Sequence, residues 1–146
     1  MKYFFSFILF LSVAVFTQEL TYYDLTHLYS IRTNLKKCNS YLEKKRFTFL
    51  ETYSDRRMQR YEYKGKNASP GDAYFYFGDN SVQLSSMKVN TFKYFERIIK
   101  NSGYKILNYD WTSEGRPKVT YIKGKRLFIL TNSIEPLYFH ILYYQQ

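Results

Sequence analysis

Residues 119–130 read VTYIKGKRLFIL, two runs of alternating side chains separated by a glycine-containing turn. If Gly124-Lys125 form a two-residue loop, Tyr121 lies opposite Phe128, and the apolar side chains of both runs share one face. Moving the loop back by one residue would place Tyr121 opposite Arg126 and mix apolar with charged side chains. The stretch therefore predicts an antiparallel hairpin with its loop at Gly124-Lys125.

Helix-like and strand-like segments alternate along the rest of the chain. The pattern predicts helices over 21–43 and 91–102, and strands over 46–53, 58–64, 73–77, 104–112, 118–123, 126–131 and 137–144. It predicts an α+β fold, a mainly antiparallel curved sheet packed against two helices, in helix-strands-helix-strands order. Two similar halves and one sheet wrapped over both helices both fit this order, and no residue-level repeat supports a duplication.

The first predicted helix begins at a well-formed cap. Thr21 is a good N-cap residue, and Asp24 stands three positions later, as in a capping box. Beyond the cap, apolar residues recur at spacings of three and four and predict one continuous helix as far as Glu43. Lys36 and Lys37 then fall in the C-terminal part of this helix, where cations complement the helix dipole.

The chain opens with a charged residue followed by an apolar run, Lys2 and then residues 3–16. This run is shorter than the roughly 20 residues that a spanning helix needs, and it ends in a polar segment, as a cleaved signal peptide does. We therefore expect residues 1–17 to be a signal peptide and residues 18–146 to form a single α+β domain without a stable membrane span. The protein is then exported, either periplasmic or extracellular. Anchoring in the membrane by an uncleaved leader is the alternative.

Few side chains in the sequence could carry catalysis. Proton transfer and nucleophilic attack usually need His, Cys or paired carboxylates, and the chain holds only His27, His140 and Cys38 of the first two kinds. No spacing links these residues, and Cys38 lies on an apolar helix stripe where burial is expected. The sequence contains no phosphate-binding loop, zinc-type spacing or calcium loop. We therefore expect no cofactor and no metal, and favour a protein without enzymatic activity.

Positive charge is the clearest functional signal. The chain has 22 Lys and Arg residues against 12 Asp and Glu residues, a formal net charge of +10, and removal of the leader takes away only one lysine. Candidate binding cations cluster at two turns, the first with Arg56, Arg57 and Arg60, the second with Lys123, Lys125 and Arg126. Such clusters favour an acidic protein or an anionic envelope surface as partner, and export disfavours nucleic acid. We therefore predict an exported basic interaction protein: a binder, an inhibitor or an immunity-type protein.

Aromatic residues are abundant, with 17 Tyr and 13 Phe. Tyrosine-rich surfaces favour recognition, but A+T-rich codons would enrich the same residues, and the sequence leaves both explanations open. If aromatic side chains of the strands lined one concave wall, Tyr109, Trp111, Tyr138 and His140 would enclose a cavity between sheet and helix. The alternative function is therefore a small-ligand-binding or hydrolytic domain. The sequence specifies no oligomeric state.

Overall fold

The computed structural model describes residues 20–53, 57–63, 71–133 and 138–146. The signal peptide expected at residues 1–17 lies outside these residues. The described chain forms three α-helices and one eight-stranded antiparallel sheet, which confirms the predicted α+β class and the antiparallel pairing. None of the described helices is both long enough and apolar enough to cross a membrane.

The first helical segment is two helices rather than one, so the prediction of a continuous helix over 21–43 and of two helices in all is wrong. The break follows from Asn34, whose side chain accepts a hydrogen bond from the backbone N–H of Lys37 and starts a new helix. The capping box of Thr21 and Asp24 is confirmed. The helices are α1 (Tyr22–Ile31), α2 (Leu35–Lys44) and α3 (Val89–Asn101).

The division of the first helix reverses the electrostatic role of two lysines. Lys36 and Lys37 lie in the first turn of α2, which has no acidic residue, rather than near the end of a longer helix. Cations at a helix N-terminus oppose the helix dipole and cost roughly 0.3–1 kcal/mol each at an exposed site. Their predicted favourable interaction with the dipole is therefore wrong.

The eight strands form one sheet in the order β1-β2-β3-β4-β8-β7-β6-β5. The sequence predicted seven of them within a few residues and missed β4. The strands are β1 (Phe47–Thr52), β2 (Met58–Tyr63), β3 (Gly71–Phe77), β4 (Ser81–Ser86), β5 (Lys105–Trp111), β6 (Pro117–Lys123), β7 (Arg126–Asn132) and β8 (Phe139–Gln145).

The sheet consists of two four-stranded meanders, β1 to β4 and β5 to β8, joined along their last strands. In the antiparallel joint between β4 and β8, Leu84 is paired with Ile141 and Ser85 with His140. The sequence left open whether the chain forms two similar halves or one sheet. The structure has both features, since two topologically similar halves form a single sheet. The halves differ in their helices, because two of the described helices precede the first meander and one precedes the second.

The predicted hairpin is confirmed in loop position and register. Lys123 is paired with Arg126 and Tyr121 with Phe128, so Gly124-Lys125 form the loop. Gly124 has a φ of 58°, in the left-handed region that favours glycine.

The core lies between the helices and one face of the sheet. Phe75, Leu84 and Ile141 are fully buried on this helix-covered face and join one cluster with Phe95 of α3. Successive strand residues point to opposite faces, so Tyr74, Ser85 and His140 belong to the other face. We call this second face the open face, because none of the described helices packs on it.

Candidate functional site

The cations predicted to bind a partner do not form a single patch. Arg57 pairs with Asp79 at 3.0 Å, and Arg60 pairs with Glu51 at 2.9 Å. Both arginines belong to the first meander, whereas Lys123, Lys125 and Arg126 surround the hairpin loop of the second. Arg56 lies outside the described residues.

Within the second cluster, Lys123 is engaged with the protein itself. Its Nζ donates to the backbone oxygen of Ser102 at 2.7 Å and lies 6.0 Å from the centroid of the Tyr104 ring. The pKa of the Arg126 guanidinium is raised, first by the charge of Tyr143 and then by a hydrogen bond with Tyr22. The two cations therefore link the hairpin to the start of α1 and the end of α3, although Lys123, Lys125 and Arg126 are all exposed.

The four residues expected to line an aromatic cavity lie on two different faces of the sheet. Tyr109 is paired with Val119, which packs against the core, so Tyr109 and Trp111 are on the helix-covered side. Tyr138 packs edge-on against Tyr74 at 5.4 Å and, with His140, lies on the open face. The structure thus does not bring these four side chains into one cavity.

Strand β5 exposes a row of large apolar side chains at the sheet edge. A β-bulge between Ile106 and Asn108 shifts the alternation, so that Ile106, Tyr109 and Trp111 share the helix-covered side of the sheet. These three side chains are 45%, 69% and 67% exposed, and we call them the β5 strip. Every residue of β5 is exposed.

The β5 strip is exposed because the helices are distributed unequally. In the first meander, α2 packs against the edge strand β1, and α1 packs against β4 and β8. In the second meander, α3 packs against β7 and β8. Among the described helices, none occupies the position over β5 that α2 occupies over β1. The β5 strip is thus the face that an additional helix would cover.

A second group lies at the centre of the open face, where the two halves join. The Oγ of Ser85 is 2.7 Å from Nδ1 of His140, and Nε2 of Gln83 donates to this Oγ at 3.0 Å. We call these residues the seam triad. Sequence reasoning missed Ser85 and Gln83 because it did not assign β4. The alternation of Val82 and Leu84 with polar residues was the signal that could have found them.

Two further features of the described residues are a buried thiol and a groove between two helices. Burial raises the pKa of the Cys38 thiol to about 11, so its nucleophilic thiolate is suppressed at neutral pH. A groove of about 570 Å³ between α1 and α2 is lined by His27, Ile31, Asn34, Lys36, Lys37, Ser40, Tyr41 and Lys44. No group of three or more metal-ligating side chains occurs among the described residues.

Burial lowers the pKa of His140, and the charge of Glu114 opposes this change only in part. The folded protein therefore favours the neutral imidazole, which can accept the proton of the Ser85 hydroxyl. The unfolded chain binds a proton at His140 more readily than the folded chain does. The contribution of the neutral His140 to the free energy of unfolding is therefore fully present above the ordinary pKa of 6.5 and declines as the pH falls below it.

We expect the wild-type protein to lose more unfolding free energy between pH 7.5 and pH 5 than the His140→Asn variant, whose side chain cannot titrate. Urea unfolding at both pH values measures the difference. Equal pH dependence in wild type and His140→Asn would contradict a lowered pKa at His140.

No protein-family model matches the chain, and comparisons with curated proteins and with solved structures found no significant match.

Proposed function

We propose that the exported mature chain is an interaction protein that binds an acidic partner protein through the β5 strip. The observation that carries this proposal is the exposure of Ile106, Tyr109 and Trp111 together on one side of an edge strand. Exposed apolar rows of this kind cost solubility and are typical of interaction sites. Tyr and Trp are also the residues most enriched among interface hot spots.

The chemistry of the partner follows from the charge around the strip. The chain carries a formal charge of +10. The exposed Lys93, Arg97 and Lys100 belong to α3, on the same side of the sheet as the strip, and Lys100 pairs with Glu96 of its own helix at 2.8 Å. A cationic rim around an apolar strip complements an apolar surface bordered by carboxylates.

The two meanders indicate the shape of the bound segment. Because α2 lies over β1 and the corresponding position over β5 is open, an amphipathic helix of the partner fits the strip. Its apolar face would cover Tyr109 and Trp111, and its acidic flank would lie against α3.

The test is affinity capture from the exported and envelope fractions of the natural host, with the chain starting at Gln18 as bait. Tyr109→Ala should weaken capture of one acidic protein by about 30-fold, the size of an interface hot spot. Tyr23→Ala is the matched control, because Tyr23 is also 69% exposed but lies on α1. It should capture the same protein as wild type.

The purified partner must then be titrated into the chain. Trp111 is the only tryptophan in the sequence, so intrinsic fluorescence reports directly on the β5 strip. Burial by a partner helix should shift its emission to shorter wavelength. Capture that survives Tyr109→Ala, an unchanged emission, or a shift produced equally by vesicles of anionic lipid would each contradict the proposal.

A further inference from the structure

Nε2 of Gln83 lies 3.4 Å from Nδ1 of His140 and 3.0 Å from the Oγ of Ser85. The amide nitrogen of Gln83 can only donate, so the Oγ of Ser85 accepts this bond. In the neutral tautomer that carries its proton on Nε2, Nδ1 of His140 is the acceptor for the Gln83 amide, and it also accepts the hydroxyl proton of Ser85, 2.7 Å away. A serine whose proton is directed at a neutral imidazole is the arrangement of an activated nucleophile and its base.

We propose that Ser85 is a nucleophile with His140 as its general base, and that the pair hydrolyses esters of short acyl groups. The site is separate from the β5 strip, and the proposal does not depend on the partner protein. The seam triad lies at the joint between the two halves, where His140 of β8 is directly opposite Ser85 of β4.

The reaction balances with water as the second substrate. The Oγ of Ser85 attacks the ester carbonyl while its proton passes to Nδ1 of His140, and the bond to the leaving alkoxide breaks as His140 returns the proton to that oxygen. Water then attacks the acylated serine, giving a proton to Nδ1, and this proton restores the Ser85 hydroxyl as the carboxylic acid leaves.

The remaining polar groups around Ser85 fit this assignment. Nε2 of Gln83, next to the attacking oxygen, is placed to donate to the carbonyl oxygen as negative charge develops on it. Burial lowers the pKa of His140 and so favours the neutral ring that accepts the Ser85 proton, and the negative charge of Glu114 opposes this lowering in part, which stabilises the imidazolium formed during attack.

The surroundings of Ser85 limit the acyl group to a short one. Ser85 is 7% exposed and lies between Tyr74 on β3 and His140 on β8, its two cross-strand neighbours. A long acyl chain would have to displace these side chains.

Labelling with diisopropyl fluorophosphate tests the nucleophile, and intact mass with peptide mapping locates the label. We expect one label per folded chain, on Ser85, and none in Ser85→Ala. The exposed Ser30 supplies the control, since Ser30→Ala should label like wild type. The rate in wild type should rise with pH through an apparent pKa below 6.5, the mark of a neutral histidine acting as base. His140→Asn should slow labelling by about 100-fold or more, within the range of general-base catalysis.

Hydrolysis of phenyl esters of increasing acyl length tests the substrate class. Phenyl acetate should react fastest. Both Ser85→Ala and His140→Asn should remove the esterase activity while retaining the cooperative unfolding of wild type. If His140→Asn fails to fold, the pH profile of wild-type labelling decides alone. An unlabelled Ser85, a label on another residue, or a rate without the histidine inflection would overturn the proposal.

Discussion

Replacing Phe128 by alanine is expected to lower the free energy of unfolding by about 3–5 kcal/mol, the usual cost of removing a fully buried phenylalanine. Phe128 is 0% exposed. Its ring centroid lies 5.6 Å from that of Tyr22, 5.4 Å from Tyr104 and 4.9 Å from Tyr143. The side chain thus joins β7 to β8, to α1 and to Tyr104, which directly precedes β5. Its removal leaves a cavity lined by three large rings, which cannot close without moving several elements.

Urea unfolding of the chain starting at Gln18 measures this loss. Ile129 is the matched control, because it is the next residue of β7, is half-buried and lies on the open face. Ile129→Ala should cost clearly less than Phe128→Ala. Equal costs would mean that the core does not lie on the helix-covered face.

The hairpin that contains Phe128 was predictable because its information is local. Only one loop position keeps the apolar side chains of both strands on one face, and Gly124 supplies the left-handed conformation that the loop needs. Strand β4 was missed because SVQLSS contains two serines at its end and only one β-branched apolar residue, Val82. Its strand conformation depends on pairing with β3 and β8, which lie on either side of it.

The break between α1 and α2 illustrates a different limit. Leu28, Ile31, Leu35 and Cys38 continue one apolar spacing across the break, because both helices bury this side against the same core. Periodicity alone therefore predicts a single helix. The cap at Asn34 is a short polar signal that such a stripe conceals, and it changes the position of Lys36 relative to the helix dipole.

The candidate sites were predictable only in part. Tyr109 and Trp111 were singled out from composition, but the bulge in β5 determines the face on which they lie, and nothing in the residues predicts that bulge. Ser85 and His140 are 55 positions apart and meet only because the last strands of the two meanders pair. Because this contact depends on how the two halves pair, no fixed spacing between Ser85 and His140 in the sequence could have predicted it.

Replacing Asp24 by asparagine is expected to lower the free energy of unfolding by about 2–3 kcal/mol. Asp24 is buried, and its carboxylate accepts hydrogen bonds from Nζ of Lys45 at 2.7 Å, from the Tyr41 hydroxyl at 2.6 Å and from the backbone N–H of Thr21 at 2.8 Å. The carboxylate therefore connects the start of α1 to α2 and to the residue that follows it. Removing one member of a buried ion pair costs roughly 3–5 kcal/mol, and the partial exposure of Lys45 reduces this figure.

The pH dependence of stability separates the charge of Asp24 from its packing. Burial raises the pKa of this carboxyl. The hydrogen bonds from Lys45, Tyr41 and Thr21 together lower it by more than burial raises it, so the net pKa lies below its ordinary value of 3.8. The stabilisation is therefore complete above pH 3.8 and is lost as the pH falls from there through the lowered pKa.

Urea unfolding at pH 7 and at pH 3 should show that Asp24→Asn loses less unfolding free energy on acidification than wild type does. Asp79→Asn, which breaks only an exposed ion pair with Arg57, should cost less than about 1 kcal/mol at pH 7 and is the control. An equal cost for the two variants at pH 7 would contradict the connecting role of Asp24.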